Sequence, residues 1–253
     1  MRGAVAAGSP RTTEAGLSAL RIGGNAVDAA IASTLMAGVA EPLLTGLGGA
    51  GMATVRFNGE VTICDMFANV PGLEAPGRNA LDMDTVTIDF GPTTQTFFVG
   101  PAAAAVPGLP AGLMALHQRF GSIPLPELAA PAVEAAQSGV NVLPGFERVS
   151  KLLWPILARS PGASAAMGHD NRPLQVGQVF RAPALGDTIG AFAASGADYF
   201  SSGPGAKALL QFLGDRSLIG AKDLEHQRAD HRSPLHFSYR DADVWVPGPP
   251  SLA

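Results

Sequence analysis

The sequence predicts a mixed α+β chain in which helices are layered on a sheet. Three observations point there. Two closely spaced apolar helices are signalled between Ser9 and Pro42, and an Asn-Gly hairpin follows at Asn58-Gly59. A mainly helical block after Pro107-Gly108 then leads into a strand-like tail. A length of 253 residues allows one large domain or two small ones, with enough chain to bury a core.

Ser9-Pro10 reads as an N-cap followed by proline at the first helical position, opening a helix through Ala15, Leu17, Leu20 and Ile22 that stops at Gly23-Gly24. Asn25 restarts the chain as a second helix from Ala26 to about Val39. It is apolar on all sides except for Asp28, the pattern of a helix buried between layers. Pro42 ends it. Strand residues from Met52 to Phe57 and from Val61 to Met66 flank Asn58-Gly59, the strongest two-residue hairpin signal. From Pro71 to Gln95 the pattern dissolves into Pro, Gly and Asp apart from Val86-Thr87-Ile88. Helices are expected at Leu109 to Phe120 and Leu125 to Gln137, with weaker ones at Phe146 to Ala158, Ala184 to Ala194 and Ala206 to Phe212. Leu235 to Tyr239 and Val244 to Val246 read as strand returning to a sheet.

Composition narrows the function. Hydrophobic residues make up 47% and charged residues 15%, too apolar for a disordered chain. Seventeen basic residues face 21 acidic ones, for a net charge of −4. No basic cluster exists through which phosphates or anionic lipids could act, which argues against nucleic-acid and membrane-surface partners. The apolar run from Ala29 to Ala40 is fenced by Asp28 and Glu41 and is too short to cross a bilayer. No signal peptide is visible, so the expectation is a soluble cytoplasmic protein. Cys64 is the single cysteine, which excludes an internal disulfide and any multi-cysteine metal site.

The chemical motifs weigh out mostly negative. Gly46, Gly48 and Gly51 satisfy G-x-G-x-x-G with Asp65 downstream, but a dinucleotide site needs strand, turn, then helix. Here a helix precedes and a strand follows, so these glycines are read instead as letting the backbone pass close beneath another element. His226, His231 and His236 recur every five residues, which does not stack them on one helix face, so no metal is expected. No G-x-S-x-G elbow occurs. Cys64 sits in a strand as a small core residue, and Thr12-Thr13 fall in a first helical turn, where hydroxyls are common. The residues alone yield a layered framework without a complete catalytic constellation.

A series of segments, in order, resembles the large subunit of the gamma-glutamyltransferase family of N-terminal-nucleophile hydrolases. They are Ala6-Ala7-Gly8-Ser9-Pro10, Gly23-Gly24-Asn25-Ala26-Val27-Asp28-Ala29-Ala30 and Glu41-Pro42 with Thr45-Gly46-Leu47-Gly48-Gly49-Ala50-Gly51. Val106-Pro107-Gly108, Phe120-Gly121, Pro131 to Ala136, Asp223-Leu224 through Tyr239-Arg240, and Pro249-Pro250-Ser251 continue the match. It covers nearly all of residues 1–253, read as one N-terminal part of a large subunit, with hairpin strands at about 52–66 and a mainly helical block at about 108–214.

The resemblance implies an α+β fold, the four-layer αββα N-terminal-nucleophile hydrolase fold, incomplete in this chain, and chemistry without a cofactor. It implies a partner, a small subunit released by autoproteolysis, whose N-terminal threonine attacks a small-molecule amide and whose glycine N–H groups hold the oxyanion. No threonine here matches that nucleophile, so no catalytic residue is expected in this chain and the chain alone is expected to be inactive. In glutathione-cleaving members an arginine two residues after the aspartate matched by Asp65 grips the substrate's α-carboxylate, and Phe67 stands at that position. A phenyl ring offers a carboxylate none of the charge-assisted bonds of a guanidinium. The expectation is therefore hydrolysis of a non-glutamyl acyl amide, with Arg56 and Arg78 as the alternative carboxylate ligands. The other readings are a true gamma-glutamyl transpeptidase, and a non-catalytic relative that binds or assembles; for Phe67 itself the plain alternative is core packing.

Overall fold

The computed structural model describes residues 3–74 and 81–249. Arg78, Pro250 and Ser251 lie outside the described residues. Helix α1 (Pro10–Arg21) starts as expected, with the Ser9 hydroxyl accepting the Thr12 N–H at 3.2 Å and Pro10 in the first turn. Gly23, at φ +98°, turns the chain toward α2 (Ala26–Ala40). That helix opens with a reciprocal cap: Asn25 Oδ1 accepts the N–H groups of Val27 and Asp28, and Asp28 Oδ2 accepts the Asn25 N–H. Its apolar circumference is used on every side. Ile31, Ala32, Leu35, Met36 and Val39 are all buried, and α1, α3 and α4 pack around it.

Strands β1 (Gly51–Phe57) and β2 (Glu60–Met66) pair in antiparallel register from Phe57↔Glu60 to Gly51↔Met66. Asn58 at φ +50° and Gly59 at φ +89° supply the two left-handed positions of the tight turn. A second hairpin, β3 (Asp84–Asp89) with β4 (Thr94–Val99), extends beyond the short strand expected at 86–88. Its Thr-rich strands carry β propensity; β3 alternates Val86 and Ile88 with polar residues, β4 does not alternate, and of the hairpin's strand residues only Ile88 is buried.

The helical block comprises α3 (Leu109–Phe120), α4 (Leu125–Ser138), α5 (Pro144–Leu157), α6 (Pro161–Met167), α7 (Pro183–Ser195), α8 (Asp198–Ser201), α9 (Pro204–Leu213) and α10 (Ala221–His226). Short pairs β5 (Val140–Asn141) with β8 (Val179–Phe180) and β6 (Gly168–His169) with β7 (Arg172–Pro173) brace it. The three shortest helices, α6, α8 and α10, were not signalled by periodicity, since each spans about two turns or fewer.

The tail corrects an expectation. The strand that returns to the sheet is β9 (Asp230–Arg232), which pairs with β2 to give the order β1-β2-β9. The strands β10 (Leu235–Tyr239) and β11 (Ala242–Val246) pair with each other as a separate hairpin. The main core lies between α2, the β1–β2 hairpin and the helices α3, α4 and α7. Among the described residues no helix is long and apolar enough to cross a membrane.

Candidate functional site

Part of the resembling set, the Gly49 turn, Val106-Pro107-Gly108 and the Asp223–Gln227 segment, meets around the end of β2 that leads into Phe67. Past β2, Asp65 Oδ1 accepts the Phe67 N–H at 3.0 Å, while Asp65 Oδ2 pairs with Arg232 of β9 at 3.1 Å. The carbonyl of Phe67 accepts from Gln227 Nε2 at 3.3 Å, and Gln227 Oε1 accepts from Asn69 Nδ2 at 2.8 Å. Asn69 and Val106 exchange backbone bonds of 2.9 and 3.3 Å, which places Val106-Pro107-Gly108 directly beneath. A side chain on Gly108 would meet the carbonyl oxygens of Met66 and Phe67 at 2.2 and 2.4 Å, so only glycine fits there. From the other side, the Gly49 carbonyl accepts the N–H groups of Gly108 and Leu109 at 3.1 and 3.0 Å. Asp223 completes the frame, accepting from Gly72, Leu73 and Gly220.

Within this frame the Phe67 ring is 46% exposed and is not part of the core. Arg56 does not stand in for an arginine at that position. The register pairs Gly51 with Met66, so Arg56 sits five residues along β1, about 17 Å from the Phe67 end of the hairpin. Its guanidinium lies 5.9 Å from the centroid of the Trp245 ring. A cationic group does adjoin the frame: Arg228, which sequence patterns passed over because it follows a short polar helix. It borders a cleft of about 430 Å3 between α3, the α8–α9 region and the Leu47-Gly48 turn, next to Gln227.

The glycine turn departs from its expected role. Only Gly49 is crowded, since a side chain there would lie 2.9 Å from the Gly46 carbonyl oxygen. Side chains on Gly46, Gly48 and Gly51 would meet nothing within 4 Å, and none of the three has positive φ.

The remaining candidates are accounted for locally. Cys64 is fully buried, and its thiol is pushed up to about 11 by burial, with the Asp65 and Asp230 charges adding and Arg119 opposing. The Thr12 hydroxyl donates to Glu41 Oε1 at 2.6 Å and lies 2.8 Å from the Ser9 hydroxyl, a tie between α1 and the end of α2. His226 bonds the Lys222 carbonyl, His231 meets the Phe120 ring edge-on, and His236 pairs with Asp243 and stacks on Trp245. Burial and the Arg119 charge hold the His231 imidazole below its usual range. No group of three or more His, Cys, Asp or Glu side chains suited to a metal forms among the described residues.

The family model for gamma-glutamyltranspeptidase matches residues 12–252. The chain is 32% identical to the acylase ACY 1 proenzyme of Pseudomonas sp. strain SE83, over 99% of this chain and 45% of the relative. It is 30% identical to the glutathione hydrolase proenzyme of Pseudomonas aeruginosa, over 98% of this chain and 43% of the relative. The Helicobacter pylori gamma-glutamyltranspeptidase structure superposes with a TM-score of 0.85 at 26% identity, covering 98% of this chain and 70% of that one. The chain thus spans less than half the length of these two curated relatives. Its α+β fold is that of the N-terminal-nucleophile hydrolases in this group. The chain belongs to the gamma-glutamyltranspeptidase family.

Proposed function

We propose that this chain is the large-subunit part of an amide-cleaving enzyme that works through an acyl-enzyme and hydrolyses a non-gamma-glutamyl acyl amide. The catalytic threonine belongs to a companion chain. In that chemistry the threonine hydroxyl attacks the amide carbonyl, its own α-amine takes the proton, and backbone N–H groups hold the oxyanion. The amine product leaves, and water releases the acid. Two relatives named as proenzymes, one an acylase and one a glutathione hydrolase, support a processed amide-cleaving enzyme without choosing between the substrates.

The observation that carries the choice is Phe67. It occupies the position where the resemblance puts a carboxylate-binding arginine, it is accessible, and Arg56 is too distant to replace that arginine. This chain's own part would be to hold that position open and apolar, through the bonds of Asp65, Gln227 and Asn69 around it.

The test begins with intact-mass analysis and N-terminal sequencing of the protein purified from its source, where a second chain starting with threonine is expected. A panel of acyl anilides is then assayed. Simple acyl anilides should turn over with kcat/KM at least about tenfold above gamma-glutamyl anilide, and Phe67→Arg should narrow that gap. A single unprocessed chain with no amidase activity would defeat the proposal, and efficient gamma-glutamyl turnover by the unsubstituted protein would defeat the specificity.

A further inference from the structure

The cleft beside the Phe67 frame has walls that are mostly apolar, with Leu47, Pro110, Met114, Phe200, Leu209 and Leu224 among its lining residues. Its charged lining residues are Arg228 and, on the α8 side, Asp198. Among the described residues Arg228 makes no ion pair, with Asp198 or any other carboxylate. Among the described residues its guanidinium makes one hydrogen bond, from Nη1 to the Gln227 carbonyl at 2.8 Å. A guanidinium carries five N–H donors in a planar fork, so most of this one remains for a ligand. The bond to Gln227 fixes the head group next to the residue whose side chain already holds the Phe67 carbonyl.

We infer that Arg228 is a specificity-determining residue that binds the carboxylate of an organic acid whose hydrocarbon part lies in this cleft. A fork of N–H donors bordering an apolar cavity selects an anion with an apolar body, since the body gains from leaving water and the carboxylate keeps charged partners. Arg228 reaches the cleft from the segment between α10 and β9, and Phe67 is not among the cleft's lining residues. That this acid is the acyl part of a substrate, joined to its amine through a second carboxyl group, rests on the amide-cleaving function proposed above; the binding of the acid does not.

Octanoate and its uncharged counterpart octanamide are the probes, titrated by calorimetry into the protein together with any companion chain it carries. Octanoate should bind about tenfold more tightly than octanamide. Arg228→Gln should abolish that preference, Arg228→Lys should keep part of it, and Asp198→Asn should strengthen octanoate binding slightly by removing a like charge. The Arg228 side chain is exposed and, among the described residues, bonds only to its neighbour's carbonyl, so the variants should fold, which circular dichroism melts verify. Equal binding of the two probes, binding of neither, or a preference that survives Arg228→Gln would overturn the inference. An octanoate preference lost in Arg228→Gln, in a protein with no amidase activity, would uphold the site and sink the enzyme reading instead.

Discussion

Removing the carboxylate of Asp28 should cost more stability than any other single polar change near the N-terminus. Asp28 is fully buried on α2 and accepts the N–H of Asn25 at 2.8 Å, of Ser122 at 3.0 Å and of Ile123 at 3.3 Å, plus the Ser122 hydroxyl at 2.5 Å. It thereby ties the start of α2 to the α3–α4 connection, with Asn25 Nδ2 reinforcing the join through the Phe120 carbonyl at 2.6 Å. Asp28→Ala leaves three backbone donors without an acceptor. At about 1–3 kcal/mol for each stranded group, and with water reaching some of them after relaxation, the loss should be about 3–5 kcal/mol. For a chain of this size that lowers Tm by roughly 10 °C.

The pH dependence supplies a second reading of the same site. Burial pushes Asp28 up, but the bonds from Ser122, Asn25 and Ile123 outweigh it and hold the carboxyl below its ordinary range. A depressed native pKa means that the unfolded chain takes up the proton first. The stabilisation is therefore complete above the unfolded carboxylate range, near pH 4, and is lost as pH falls toward the native value. Urea titrations of the parent protein and Asp28→Asn between pH 3 and 7 should show a steeper acid limb in the parent. A loss below about 1 kcal/mol for Asp28→Ala, or identical acid limbs, would refute this account of the junction.

Three further outcomes follow from packing. Gly108→Ala should destabilise by about 2–3 kcal/mol, because the added carbon meets two carbonyl oxygens. Gly48→Ala, with nothing within 4 Å and no positive φ, should fall within about 0.5 kcal/mol of the parent in the same denaturation assay. Cys64, buried and with its thiol pushed up to about 11, should resist an aromatic disulfide reagent at pH 8 in the native state and react fully in urea. Rapid native labelling would contradict its place in the core.

What was legible in the sequence was local. Ser9-Pro10 and the Asn25–Asp28 cap mark helix starts by satisfying nearby backbone groups, and Asn58-Gly59 supplies left-handed turn positions, so each signal acts within a few residues. Strand pairing is not local. The alternation of Leu235, Phe237 and Tyr239 identifies a strand but not its partner, and β9, which does join the sheet, is written Asp-His-Arg and shows no apolar face. The site was the least legible part. Phe67 stood out only through the resemblance, and Arg228 becomes notable only once Gln227 is seen bonded to the Phe67 carbonyl, 160 positions earlier in the chain.

Several features make little physical sense within the described residues and much more beside a companion chain. Gly46, Gly48 and Gly51 give up side-chain packing and conformational order with no crowding and no left-handed backbone to require it. Among the described residues strand β1 pairs only with β2, leaving its other edge without a strand, and Leu235, Phe237 and Tyr239 line up as exposed apolar residues on β10. Open edges and apolar rows invite aggregation unless something covers them, and glycines facing open space allow another backbone to approach. One neighbouring chain that adds strands at β1 and packs over β10 would account for all three. If so, Phe237→Lys should improve the solubility of the 253-residue chain made alone and weaken its association with that companion.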